Sequence, residues 1–288
     1  MVADLSPADK RGRNFGRVEQ SSSRAVMAGV LVFFTLSGFL AVWLNVTFDE
    51  AMHPAWMLSF GFFAVLGAFA IWRVRRLPET GRPQAPASFW MSFGASWRRA
   101  SRTLLVLMVV VFLTSAAFQA VSPLLLIFVQ ERFEATLLEL ALAYLPMALI
   151  WAFLPSRMGA IGDRLGRKAP MAVGLLVSGA VILFLPHATS LLLLAMLWAV
   201  EALAFTASVP AEEALVADLS GGEQRGESFG LYTFASGLGA VVGPLVGGWL
   251  YDQVGHSAPF YFTAALAFVG ALLIVLLVRE PERPTSGA

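Results

Sequence analysis

The sequence predicts an all-α integral membrane protein, a polytopic helical bundle of about eight transmembrane helices. Hydrophobic residues make up 58% of the 288-residue chain and charged residues 14%, against roughly 45–50% and 25% in soluble domains. Mean hydropathy is +0.72. The apolar residues gather into runs near the ~20 residues that a bilayer core requires. Backbone in hydrocarbon must satisfy its own hydrogen bonds, so each run reads as a helix.

Residues 1–23 read as a polar tail carrying Lys10, Arg11, Arg13 and Arg17. The first span, 24–46, is too long for a signal-peptide core and no convincing cleavage site follows it. Residues 55–71 cross back. The connection 73–102 is basic and carries Pro78, Pro83 and Pro86. Within it Phe89, Trp90, Phe93 and Trp97 accompany Arg98 and Arg99, the pattern either of a short helix at the membrane interface or of a linker that contains aromatics. Six further spans follow at 103–128, 136–154, 169–185, 190–210, 229–250 and 259–278. The longer ones exceed the bilayer thickness and tilt.

All but Arg132 of the 20 lysines and arginines lie in alternate connections. This positive-inside bias predicts a multi-pass protein of the plasma (inner) membrane with both termini in the cytoplasm. The lipid bilayer is thus its first partner. Net charge is +1, which gives no support to a nucleic-acid partner. The chain has no cysteine, so disulfides, thiolate metal sites and cysteine nucleophiles are excluded together. There is no H-E-x-x-H and no G-x-x-x-x-G-K-[ST], so neither metal chemistry nor ATP-driven work has a motif behind it, and no cofactor is expected. A membrane enzyme would need a nucleophile–base set or a carboxylate cluster at membrane depth. One mid-span Glu does not supply it, and the chain reads as a non-enzyme.

Residues 159–168, G-A-I-G-D-R-L-G-R-K, place one acid, three bases and three glycines between two apolar spans. They read as a tight loop at the membrane surface, with glycines taking positive φ and letting helix ends approach. Asp163 is expected against a helix N-terminus or a basic side chain. Arg164, Arg167 and Lys168 are expected to face the cytoplasm, and Pro170 suits the first turn of the next helix.

The order of these residues, complete at Gly159, Asp163, Arg164, Gly166, Arg167 and Lys168, resembles the signature loop of the major facilitator superfamily of secondary transporters. A repeat accompanies it. Val2-Ala3-Asp4-Leu5-Ser6 recurs as Val216-Ala217-Asp218-Leu219-Ser220, and Arg11-Gly12 with Phe15-Gly16 recurs at the same offset as Arg225-Gly226 with Phe229-Gly230. Ala55, Gly67 and Pro78-Glu79 match Ala258, Gly270 and Pro281-Glu282 at a shorter offset. A repeat of roughly 200 residues suggests two homologous bundles. The resemblance makes the first two spans equivalent to helices 5 and 6 and the other six to helices 7–12. It implies a partial major facilitator fold: residues 1–80 a remnant of an N-terminal bundle, 81–102 a cytoplasmic linker, and 103–288 a C-terminal six-helix bundle. The chain then reads either as truncated or mis-started, or as a complete eight-span protein.

The implied function is secondary transport of a small molecule by alternating access, with proton-coupled efflux of drug-like compounds as the finer reading. The alternative is a non-transporting membrane fragment or partner subunit. By the same resemblance Asp163 latches the cytoplasmic end of helix 11, near residues 228–230, supported by Arg164 and Arg167. Glu201 lies mid-span, where a charge costs at least ~2.5 kcal/mol. It is a candidate for binding substrate or protons, or else a structural acid bonded to a neighbouring helix. Gln119, four residues before Pro123, either meets substrate or bonds another helix. Glu212 and Glu213 read as solvated or paired with Arg225. Gly239, Gly243 and Gly247 share one helix face with Pro244 and Gly248 nearby, a close-packing segment. The G-P-L-V-G-G stretch resembles that of helix 11 in the family. The first-copy span holds Gly29 and Gly38 but no Gly-Pro, a departure from the family's antiporter pattern.

Overall fold

A computed structural model describes residues 2–76, 94, 96–220 and 224–280. Phe89, Trp90, Phe93 and the three prolines of the 73–102 connection lie outside the described residues, as do Pro281 and Glu282; residues 96–99 are helical. All regular structure among the described residues is helical. After a one-turn helix Val2–Leu5 and a 3-10 turn Ala8–Lys10, the helices are α1 (Arg11–Leu44), α2 (Phe48–Val74), α3 (Arg102–Phe133), α4 (Leu137–Phe153), α5 (Pro155–Leu165), α6 (Lys168–Phe184), α7 (Leu191–Leu219), α8 (Arg225–Gln253) and α9 (Ala258–Leu277). Among the described residues, seven helices are long and apolar enough to cross a membrane, and α4 with α5, bent by 54°, makes an eighth if counted as one span.

Two expectations need correction. Residues 11–23 are the first turns of α1 rather than a polar tail. The 159–168 stretch is mostly helix: Pro155 opens α5 at its N-terminal turn, and of the three glycines only Gly166 takes a positive φ, 110°, where the helix stops. A prolyl residue suits a first helical turn and a glycine its end. Three other starts are capped by side chains, whereas α6, α8 and α9 have no side-chain cap. Ser101 accepts from Leu104 N–H, Ser190 from Leu193 N–H, and Thr136 forms a reciprocal box with Glu139.

The chain divides into two compact units, Met1–Gln20 with Pro86–Ala288, and Ser21–Ala85. The division by packing therefore cuts the sequence at different points from the repeat. In the smaller unit α1 and α2 fold back on each other, burying Phe33, Leu40 and Ala55, with the Phe33 and Trp56 rings 4.2 Å apart. The larger unit has two large apolar cores, beside a small one of Ala3, Phe15, Ala214 and Ala217. One joins Leu107, Val111, Met171, Leu215, Leu231 and Ile274 from α3, α6, α7, α8 and α9. The other joins Val129, Leu140, Ile182, Trp198 and Phe260 toward the opposite helix ends.

The glycine face of α8 is real packing. A Cβ on Gly239, Gly243 or Gly247 would stand 2.7, 2.4 and 2.2 Å from the carbonyl oxygens of Phe112, Ala116 and Ala120 on α3. Only hydrogen fits in those gaps, so the two backbones meet directly. Ser115 Oγ adds a bond to Ser236 C=O at 2.7 Å. Gly248 points into open space, and half-buried Pro244 sits inside α8 without ending it.

Candidate functional site

The start of α1 crosses α5 backbone to backbone. A Cβ on Gly159 would lie 2.1 Å from Gly12 C=O, and one on Gly16 would lie 2.3 Å from Pro155 C=O. That approach sets Asp163 under the first amides of α1. Gly12 N–H donates to its Oδ1 at 2.9 Å and Arg13 N–H to its Oδ2 at 2.8 Å. A carboxylate there satisfies donors that an α-helix leaves open and meets the positive end of its dipole.

Arg167 is 4% exposed and bonds in every direction. Its guanidinium binds Asp163, reaches Asp218 at 3.3 Å and donates to Ala8 C=O at 2.9 Å, while its backbone N–H donates to Glu280 at 2.7 Å. Asp218 also binds Arg11. So Arg167 does not face water as the sequence suggested. A guanidinium at this depth needs carboxylates on two sides, and the fold provides them. Arg164 is exposed, Lys168 opens α6 and is half-buried, and Gly166 is buried at the turn.

The two copies of the repeat exchange partners. Asp4 of the first binds Arg225 of the second at 3.0 Å, and Asp218 of the second binds Arg11 of the first. The equivalent rings Phe15 and Phe229 meet at 5.9 Å. Asp163 correspondingly docks on α1 and not near residues 228–230 of α8, which corrects the expected latch point. The last turn of α5 meets the first turn of α1 because Gly159 and Gly12 let the two backbones touch. Arg225 is committed to Asp4, so it does not pair with Glu212 or Glu213. Glu212 accepts the Tyr232 hydroxyl at 3.0 Å instead. The exchange was missed in the sequence, although Asp and Arg occur at equivalent positions of both copies.

Glu201 lies in the interior of the larger unit at 7% exposure. Ser178 Oγ on α6 donates to its Oε1 at 3.3 Å. It borders a cavity of about 220 Å³ whose walls come from α3, α4, α6, α7 and α9. Trp198 and Glu201 are spaced i, i+3 on α7, and Tyr144, Met147 and Trp151 are spaced i, i+3, i+7 on α4, so each set shares a face. Gln119 is not brought to this cavity. It is half-buried on α3, with its Cβ 3.0 Å from where a Cβ on Gly243 would be. The aromatic walls went unremarked in the sequence because their helical spacing is also that of ordinary core.

A family profile described as Major Facilitator Superfamily matches residues 157–288. The chain is 26% identical over 188 residues to the quinolone resistance protein NorA of Staphylococcus aureus (strain Mu50 / ATCC 700699), covering 65% of this chain and 47% of that protein. It is 30% identical over 182 residues to the multidrug resistance protein MdtG of Proteus mirabilis (strain HI4320), covering 61% and 44%. The chain thus spans about half the length of the curated relatives it matches. In fold it is similar to the human organic anion transporter MFSD10 (TETRAN), with TM-score 0.67, 21% identity and coverage of 95% of this chain and 66% of that one. The proton:xylose symporter XylE gives TM-score 0.56 at 16% identity, covering 97% and 66%. Signature residues, internal repeat, helical architecture and the profile over residues 157–288 agree, and together they support a transporter of the major facilitator superfamily.

Proposed function

We propose that this chain serves secondary transport of a small molecule by alternating access, and that the specific reaction is proton-coupled efflux of drug-like compounds. The observation that carries the reading is the reciprocal cluster at the α1 and α8 starts. A transporter needs a contact between its repeats that holds in one state and opens in another. Ion pairs near helix ends suit this, because each charge separated on opening can be hydrated. Asp163 on the α1 amides is then the latch, and Arg167 couples it to Asp218 and Arg11.

The same proposal places both termini and the cluster on the cytoplasmic side, in accord with the lysine and arginine bias. It takes residues 1–80 as part of one repeat, 81–102 as the connection and 103–288 as the six-helix bundle. Glu201 is the group that exchanges a proton, being a carboxyl held in the bundle interior with one hydroxyl partner. The resistance proteins NorA and MdtG support the efflux class, and the proton:xylose symporter XylE supports proton coupling within the fold.

The test is flux in proteoliposomes holding this chain and an imposed pH gradient, with a quinolone as cargo. Movement driven by the gradient is expected, with Glu201→Gln abolishing the coupling. Absence of movement with the chain alone, and its appearance only when a second membrane protein is added, would favour the partner-subunit reading instead.

A further inference from the structure

We propose that the pocket where the 73–102 connection meets the starts of α3 and α8 binds a phosphate oxyanion, carried by an acidic phospholipid headgroup or free as inorganic phosphate. The site goes beyond the transport reading and shares no lining residue with the Glu201 cavity.

Residues 96–99 lie against the first turn of α8. Ser96 Oγ donates to Glu227 Oε2 at 3.0 Å, and Arg99 pairs with Glu227 Oε1 at 3.6 Å. Beside this contact is a space of about 100 Å³, bordered by Arg99, Ser101, Gln224, Glu227 and Ser228. All of these belong to the larger unit.

The lining offers donors in excess. Ser101 Oγ accepts from Leu104 N–H, which leaves its own proton to give. Ser228 is 5% exposed, and neither its hydroxyl nor the Gln224 side-chain amide has a partner among the described residues. A hydroxyl buried this far normally finds one. Glu227 is the carboxylate of the lining, and Ser96 and Arg99 already engage it. A ligand rich in acceptors is what such a pocket lacks.

The charge around it selects an anion. Arg98 and Arg102 flank the site in sequence, exposed and without an ion pair among the described residues. Ser101 and Gln224 are the caps at which α3 and α8 begin, so the positive ends of two long helices border the pocket. A cation would meet the arginines, and a neutral ligand would leave them unbalanced. A phosphodiester presents acceptors alone and matches the planar fork of Arg99. Glu227 limits the charge the pocket tolerates, which favours the single charge of a lipid phosphodiester over a dianion. Exposed Trp97 among these arginines is the pattern of a segment at the membrane interface, where such headgroups lie.

The test uses the full chain in maltoside micelles and native mass spectrometry, which counts retained lipid. The probes are dioleoylphosphatidylglycerol and dioleoylglycerol, its analogue without the phosphate. A single phosphatidylglycerol should be retained, at least about fivefold more than the analogue. Arg99→Ala should lower retention by about fivefold, the loss of one charge near the surface, and Ser228→Ala by less. Arg157→Ala, at an exposed base on α5, should leave retention unchanged. Glu227→Gln keeps an acceptor for Ser96 but removes the repulsion, and should raise retention. Equal retention of the two probes overturns the proposal. So does retention that neither Arg99→Ala nor Ser228→Ala lowers more than Arg157→Ala does. Inorganic phosphate at millimolar concentration, against chloride of equal ionic strength, separates the two sources. Displacement of the lipid assigns the pocket to the free oxyanion, and undisturbed retention assigns it to the headgroup.

Discussion

Both oxygens of Asp163 receive α1 amides, and Arg167 binds the Oδ1 that also accepts from Gly12 N–H. Asp163→Asn keeps the size of the side chain but removes the charge and one acceptor. It should destabilise the folded protein by roughly 1–3 kcal/mol, the range for a lost charged hydrogen bond. The midpoint of thermal unfolding in detergent, followed by size-exclusion chromatography, reads this directly. An unchanged midpoint would mean the amides find another acceptor. Arg167→Lys tests geometry separately from charge. A lysine cannot reach Asp163, Asp218 and Ala8 C=O together, because it lacks the planar fork. It is expected to lower the midpoint nearly as much as Asp163→Asn.

At the scale of elements, α8 and α3 are held by the absence of side chains along one face. Gly247→Val would drive methyl groups into the Ala120 carbonyl. Overpacking of this kind typically costs about 1–3 kcal/mol, and the direct contact here is with backbone, which has little room to yield. Gly248→Ala, one position on, meets nothing within 4 Å and should be neutral or stabilising by up to ~1 kcal/mol through helix propensity. Comparing the two midpoints separates glycine used for packing from glycine that is merely present. The i, i+4 spacing of Gly239, Gly243 and Gly247 already said which three matter. It did not say what they meet, since a helix face is local but its neighbour is chosen by the whole bundle. The helical character of residues 155–165 was harder to read. Glycine and charge there signalled a loop, whereas two of the three glycines serve a helix crossing at Gly12 and burial within α5.

At the scale of the molecule, the exchanged ion pairs predict a double-mutant cycle. Arg11→Asp and Asp218→Arg should each destabilise strongly, by about 3–5 kcal/mol if the partner is left buried and unpaired. The combined swap should recover part of that loss, although Arg167 also contacts Asp218 and would oppose an arginine there. Additive losses would show that the pair itself contributes nothing. Arg225 with Asp4 is the less buried counterpart, its side chains 22% and 36% exposed, and water screens it more. Reversal of Arg225 and Asp4 should therefore have the smaller effect on the same unfolding midpoint.

The sequence by itself determined the class, the membrane spans, the repeat and the signature residues. These rest on composition, run length and residue order, which are local and survive without coordinates. Only the tertiary structure decided where Asp163 docks, that Arg167 is buried, that Asp4 and Asp218 take partners from the opposite copy, and that Glu201 faces an aromatic cavity while Gln119 does not. Each of those depends on which helices lie side by side. That choice is made by backbone approach at glycine and by pairing of charges 207 and 221 residues apart along the chain, and local spacing in the sequence does not name the partner in such contacts.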